Sequence, residues 1–591
     1  MNNTIQRNKK LKCMSLALIT LLLALGCRSR KDLHKTSVGP LLDTALIVHA
    51  ENATEKKSEF PEKDTVFLVS AIRVMVLDPL GRDIKDTGRY KRTLVTTTVD
   101  RLHFKTRERI IRNFLLFKEK DTISSMELKE SERLLRKNLR IRDARIIATP
   151  DSSVENASEI TVIVQDLVSL NLGITDLNNL STYTIADRNF LGTGSIVQAG
   201  AAFYKKEYNS ASLYLNYPSL KRSYVNLSFS YSTADSNFTK GLQLNRDFSS
   251  GLFRWAGGAS YLLRNNNRYF YTGTGISGGY NSSAKQLDLW GGHAFRIGAQ
   301  QNNGAIKNLV LNVRYVNVLE NISHIIQRGD SVFPILNKSG NKYLLAFGMN
   351  KRRYYKDSYI FRFGYSEDIP EGYMASLMIG STVNMNYSTG LYTGISAGIA
   401  NTNRAGYWNL SGQYIKTFSA YKATAVETGS IKLFYLSPLL LNSRFKDRII
   451  LNARSQRISS DIVFDRLILN NEDGFLNINS RLLSGLTKVS LLLNNIVYTP
   501  YKPLGFNVGF FGYAAFANLT RVRDFSITKN WYQAYGLGIL LRNEHLLINS
   551  IRLAITYYPS FPESTYRFNP LWIYELQIPD MAINRPEYEL N

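Results

Sequence analysis

The chain has 591 residues, 73 Lys and Arg against 47 Asp and Glu for a formal charge of +26, and 35 Tyr and 29 Phe against 2 Cys and 15 Pro. That length is too great for one compact core, so it calls for several soluble domains or one very large sheet structure. The composition excludes a disulfide framework or thiolate metal site, because Cys13 and Cys27 both lie at the start. It also excludes a helical membrane protein, which needs apolar runs of about 20 residues. The basic residues are spread along the whole chain rather than gathered in a stripe, which argues against a nucleic-acid partner and for lipid phosphates, a charged lumen or solvated loops.

Residues 8–12 read Asn-Lys-Lys-Leu-Lys and precede an apolar run from Met14 to Leu25. This is the order and length of a secretory signal, so residues 1–27 are expected to direct export. Leu23-Ala24-Leu25-Gly26-Cys27 resembles a bacterial lipobox with the usual order of Leu and small residue swapped. Two outcomes stay open: acylation of Cys27, which would tether the new N-terminus to a membrane, or ordinary cleavage with Cys27 discarded or left free. Residues 28–63 are mostly polar and charged and read as a flexible linker.

A small α+β domain is expected over 64–168. Val66 to Asp78 is rich in strand-forming residues, and Leu94 to Phe104 alternates partly in the same way. Thr106 is placed to cap a helix carrying Ile110, Ile111, Phe114 and Leu115 at helical spacing. Phe117-Lys118-Glu119-Lys120-Asp121 ends it, and a second helix is predicted from about Ser125 to Asn138 with Met126, Leu128, Leu134 and Leu135 as core. Ala144, Ile146 and Ala148 mark one further strand, and Ile160, Val162 and Val164 another. This order, with the text at 106–121 and 130–136, resembles a POTRA domain, in which the first helix ends in Leu-Leu-Phe-x-x-Gly-Asp; Lys120 stands here where Gly is usual.

From Ser169 to Asn591 the dominant signal is alternation at period two. Val225, Leu227, Phe229 and Tyr231 alternate with Asn226, Ser228, Ser230 and Ser232. Tyr359, Phe361, Phe363 and Tyr365 repeat the pattern, as do Val383, Met385 and Tyr387, then Leu553, Ile555 and Tyr557. No linker divides this stretch into soluble domains. The expectation is an all-β transmembrane barrel of about 16 antiparallel strands, at about 26 residues per strand with its connection, closed because lipid cannot satisfy an open edge.

Ala186-Asp187-Arg188-Asn189-Phe190-Leu191-Gly192-Thr193-Gly194 is similar to the Asp-Arg-Asn-Leu-Leu-Gly-x-Gly text that opens barrels of the BamA/TamA superfamily, with Asp187, Arg188, Asn189, Gly192 and Gly194 as its matching positions. Tyr535-Gly536-Leu537-Gly538 and the strand at 551–558 resemble that superfamily's closing strands. Its Arg-Gly-Phe motif, on a loop folded into the barrel, corresponds to Asp473-Gly474-Phe475-Leu476, where Gly474, Phe475 and Leu476 remain but no Arg precedes them. In that superfamily the Arg contacts the inner barrel wall, so the resemblance puts the usual loop lock, and with it full activity, in doubt here. The chain also runs on from Pro579 to Asn591, past the place where relatives end.

Two nucleophile-elbow strings occur, at Gly275-Ile276-Ser277-Gly278-Gly279 and Gly394-Ile395-Ser396-Ala397-Gly398, without the following helix that an elbow needs. His34, His49, His103, His293, His324 and His545 form no pair at ligand spacing. No enzyme activity, metal or cofactor is therefore expected. The resemblance implies assembly or insertion of other barrel proteins, or export of a passenger, at the bacterial outer membrane. Outer-membrane lipid, client proteins and a periplasmic or inner-membrane partner reached through the POTRA-like domain would be its contacts. The second class is a passive pore, anion-preferring if its lumen is basic.

Overall fold

A computed structural model describes residues 66–79, 84, 103–138 and most of 141–587, leaving out 178–179, 205–206, 235–236, 273–274, 299–303, 328–338, 385–389, 420–425, 443, 460–466, 476–483, 504–505, 521–530, 544–549, 560–565 and 570–577. The signal, Cys27, the linker and most of Leu94 to Phe104 lie outside the described residues.

The N-terminal domain is built from β1 (Val66–Leu77), α1 (Glu108–Asn113), β2 (Thr122–Ser124), α2 (Ser125–Asn138), β3 (Ile141–Pro150) and β4 (Ala157–Asp166). Its sheet runs β2-β1-β4-β3, with β1 parallel to β4 and β3 antiparallel to it. Ile110, Ile111, Phe114 and Leu128 pack against Val69, Ile72, Ile146, Ile160 and Val162. Two expectations change in detail. Thr106 does not cap α1: Arg107 holds the cap position without a side-chain bond, while Thr106 is bound to Asp166. Leu134 is buried, but in a cluster with barrel residues Phe248, Phe253 and Trp290 rather than in the domain core. Lys120 has φ 71°, the left-handed conformation that explains why glycine is usual there.

The barrel closes, with its last strand beside its first. Among the described residues it has twenty strands rather than about sixteen, taking 426–436 and 440–442, which both pair with Phe445–Ser459, as one. The discrepancy comes from tight connections. Six strands fit into residues 170–246, about half the length per strand that ordinary loops would require. Residues 358–366 are a second departure: their alternating aromatics form an irregular turn instead of a strand.

Alternation fixes which face meets lipid. On Gly340–Asp357, Tyr343, Leu345, Phe347 and Met349 are exposed on the outside, while Leu344, Ala346, Asn350 and Arg352 are buried within. Leu377 and Ile379, Leu391 and Ile395, Leu537 and Ile539 continue this outward apolar belt around the wall. A closed antiparallel barrel so girdled is a membrane-spanning barrel of the outer-membrane kind, since closure leaves no strand edge unpaired in hydrocarbon.

Candidate functional site: the domain junction and the filled lumen

The barrel-opening text joins the two domains. Asp166, at the end of β4, is nearly inaccessible and accepts hydrogen bonds from the Thr106 backbone N–H at 2.7 Å and the Thr106 hydroxyl at 2.7 Å, with His103 Nε2 at 3.0 Å. Thr106 is thereby held for Asn189, whose Nδ2 donates to Thr106 Oγ1 at 2.9 Å and to the Phe104 carbonyl at 3.1 Å. Asn189 Oδ1 accepts from the Gly194 N–H at 2.7 Å, and the Arg107 N–H donates to the Gly192 carbonyl at 2.9 Å. Gly192 has φ +70°, and a Cβ there would lie 2.2 Å from the Lys105 carbonyl oxygen. Asp187 accepts from the Asn189 N–H at 3.0 Å, and the Arg188 N–H donates to the Ser169 carbonyl at 2.8 Å. The five matching positions thus form one turn that seats the domain on the barrel.

Helix α2 makes the second attachment. From Ser131 to Arg136 every residue is buried, which an amphipathic helix on one sheet would not show; both of its faces are covered. Arg136 makes a bidentate pair with Asp368 at 2.6 and 2.8 Å and bonds to Glu132 at 2.7 Å. Burial works against the Arg136 charge, but Asp368 and Glu132 outweigh it and raise its pKa. Lys356 also pairs with Glu132. Arg133 donates to the Ser249 carbonyl at 2.6 Å and lies 3.9 Å over the Tyr354 ring. The sequence offered little signal here: the charged residues at 130, 132, 133 and 136 share one side of the helix and read as an ordinary water-facing side.

Within the barrel the inward loop is locked after all, with its charge inverted. Asp473 directly precedes Gly474 and Phe475. Its carboxylate, almost wholly buried, accepts from Lys488 Nζ at 2.8 Å and Ser490 Oγ at 2.7 Å on the wall. Glu472 pairs with Arg454. Gly474 has φ +85° and sits so close to the wall that a Cβ would meet the Ala515 Cβ at 2.6 Å, and Phe475 is fully buried against Leu492, Ala515 and their neighbours. Leu476 lies outside the described residues. Here the loop supplies the carboxylate and the wall the cation.

Two further segments enter the lumen. Residues 358–366 turn inward because the Glu367 carboxylate gathers the N–H groups of Ile360, Phe361 and Arg362 at 3.1, 3.0 and 3.1 Å. The turn is fastened by Tyr498 donating to the Ile360 carbonyl at 2.9 Å and Arg542 to the Phe361 carbonyl at 2.8 Å. The C-terminal segment 578–587, which sequence reading left beyond the last strand, runs along the inner wall. Asp580 accepts from the Tyr354 hydroxyl at 2.9 Å and lies 3.5 Å from Lys137 of α2. Arg585 reaches Asp288 at 3.2 Å, itself in a bidentate pair with Arg314 at 3.0 and 2.8 Å.

The two nucleophile strings lie within strands, Gly275–Arg296 and Gly390–Asn403, so neither Ser277 nor Ser396 sits on an elbow. The Ser396 hydroxyl is 2.7 Å from that of Ser376.

No family model matches the chain, and no curated protein matches it. Among solved structures it is similar to CdiB from Escherichia coli, at 9% identity and TM-score 0.41 over 90% of this chain and 95% of that one. It is similar to CdiB from Acinetobacter baumannii at 13% identity and TM-score 0.40, covering 88% and 91%. It is also similar to BamA from Haemophilus ducreyi lacking POTRA domains 1–3, at 12% identity and TM-score 0.32, covering 84% and 82%. Identities of this size say nothing about activity.

Proposed function

We propose that this chain handles other polypeptides at the bacterial outer membrane, either inserting barrel proteins or passing a client across. The observation that carries this reading is a barrel filled from within along its later strands, with a docked domain at its mouth. The inward loop, the 358–366 turn and the C-terminal segment pack on the lumen side of the wall, and α2 is buried against the adjoining mouth. A diffusion pore has no use for such fillings, whereas a machine that must stay shut between clients does.

The route suggested is capture of an extended client strand on the domain's sheet edge, then passage to the barrel seam. The outer edge of β3 is half occupied: Glu132 accepts from the Ile146 N–H at 3.0 Å and Arg136 donates to the Ala144 carbonyl at 3.2 Å. Thr149 and Pro150 at the other end are exposed. Full strand addition would need α2 to release its barrel contacts. At the seam, the first strand, Leu170–Leu177, lies beside the last, Tyr566–Asn569. The outward belt takes lipid, clients bind at the edge and seam, and a periplasmic or inner-membrane partner would meet the domain face away from the barrel.

Depletion of the protein, followed by quantitative comparison of the outer-membrane proteome and surface lipoproteins, tests the reading. Loss of a defined set of barrels or exported proteins is expected. An unchanged proteome with altered uptake of small solutes would overturn it in favour of a pore.

A further inference from the structure

Three asparagines on the inner wall treat the C-terminal segment alike. Asn409 Nδ2 donates to the Pro579 carbonyl at 3.1 Å, Asn350 Nδ2 to the Met581 carbonyl at 3.1 Å, and Asn312 Nδ2 to the Asn584 carbonyl at 2.7 Å with Ile583 at 3.4 Å. Arg314 continues the row at the Pro586 carbonyl. The bonded carbonyls fall at roughly every second residue along a segment with no helix or turn, so this row of the wall holds main chain, beside the side-chain ties at Asp580 and Arg585. The three asparagines come from different strands, Ile306–Gln327, Gly340–Asp357 and Gly406–Ser419, and are 0%, 2% and 1% exposed.

In all three the second half of the amide is idle: Asn312 Oδ1, Asn350 Oδ1 and Asn409 Oδ1 are buried acceptors without a hydrogen-bond partner. A carboxamide presents a donor and an acceptor side by side, the complement of the C=O and N–H of an extended backbone. Buried polar atoms are nearly always paired, so three orphans of one kind in one row mark a site whose present occupant satisfies half of it. Pro579, bonded at Asn409, has no N–H to offer, and those of Met581 and Asn584 do not reach the amide oxygens of Asn350 and Asn312.

We infer that the asparagine row is a binding track for extended polypeptide backbone, and that residues 578–587 are its resident occupant, displaced by a client segment whose N–H groups fill the idle acceptors. The three asparagines meet main chain only, so the row itself makes no demand on a client's side chains. This deepens the polypeptide-handling reading and rests on it, but its test is made on the purified barrel and needs no knowledge of the client.

The test is ion conductance of the whole protein and of a chain lacking residues 578–591, each in planar bilayers. The whole protein is expected to stay closed and the shortened one to conduct. Micromolar amounts of a synthetic peptide with the sequence of residues 578–591, or of an unrelated proline-free peptide of the same length, should block the current, the proline-free one at least as well. Asn312→Ala, Asn350→Ala and Asn409→Ala together in the shortened chain should weaken both blocks at least ten-fold. Block unchanged by the triple substitution, or no block by either peptide, would overturn the track. Should the shortened chain fail to fold, judged by heat-modifiable mobility, the triple substitution in the whole protein serves instead. It is expected to produce open bursts as the tail lets go, and a channel as closed as the parent would overturn the proposal. Depletion without effect on other proteins, beside intact peptide block, would sink the cellular role and leave the track standing.

Discussion

The early strands of the barrel and the later ones differ in what lies against their inner face. On Asn226–Ala234 and Asn237–Arg246 the inward residues are Ser228, Ser230, Gln243 and Asn245, and none of these is buried. On Thr487–Tyr498 and Asn507–Thr520 they are Leu492, Ile496, Tyr498, Phe511, Tyr513 and Ala515, all buried against inserted segments. The outer faces are alike, because lipid makes the same demand everywhere. One wall therefore contains two solvents on its inside, water along the early strands and protein along the later ones, and a substitution should cost according to which of them it meets.

The largest expected effect is at the inverted lock. Asp473→Ala leaves Lys488, 5% exposed at its side chain, as an uncompensated buried cation, which typically costs about 3–5 kcal/mol. Urea unfolding of the reconstituted protein should register it, together with protease cleavage of the freed loop. Adding Lys488→Ala should recover most of the loss, since removing both partners of a buried pair is far milder than removing one. A double variant as weak as the single one would mean that Asp473 acts through Ser490 or the loop backbone instead.

Packing without charge gives the direct contrast. Phe475→Ala should cost about 3–5 kcal/mol through the cavity it opens, while Ser228→Ala on the early wall should stay within about 0.5 kcal/mol. Equal effects in the same unfolding assay would erase the distinction between the two halves. At the junction, Gly192→Ala combines a left-handed φ with the 2.2 Å approach to the Lys105 carbonyl, for a cost of about 1–3 kcal/mol. Its signature should be loosened docking, seen as faster hydrogen exchange at Thr106 and Arg107 with the barrel ladder unchanged.

This division also explains what could be read in advance. Period-two alternation was plain at Val225 to Ser232 because apolar-out meets polar-in on the watery side. On the packed side both faces are apolar, as at Leu491, Leu492 and Leu493, and the alternation fades. Such doubly apolar strands were the available sign of a filled lumen. The junction was legible by text, since Gly192 and Gly194 are fixed by local backbone geometry. The tail was not: its contacts with Asn312, Asn350 and Asn409 span hundreds of residues in sequence and carry no local pattern. The strand number among the described residues exceeds the expectation for a related reason, as short hairpins leave little loop text to mark them. The Asp473–Lys488 pair was not legible either, because its partners are 15 residues apart and on separate elements.

The smallest predicted effect lies where the domain's sheet edge meets its docked helix. Asp143 on β3 is buried, accepts from the Ala144 N–H at 2.8 Å and lies 3.8 Å from Arg136. Burial outweighs the attraction of Arg136 and raises its pKa. A carboxyl whose folded pKa lies above its unfolded value is costly to keep charged, so this group subtracts stability above that folded pKa and ceases to do so as the pH falls through it. Asp143→Asn retains the acceptor for Ala144 without the charge. It should therefore stabilise the protein at neutral pH by about 1 kcal/mol or less, with the gain vanishing in acid. A loss at neutral pH that persists in acid would show instead that Arg136 depends on Asp143 as well as on Asp368. Holding α2 to the barrel would then be the work of the whole charged cluster.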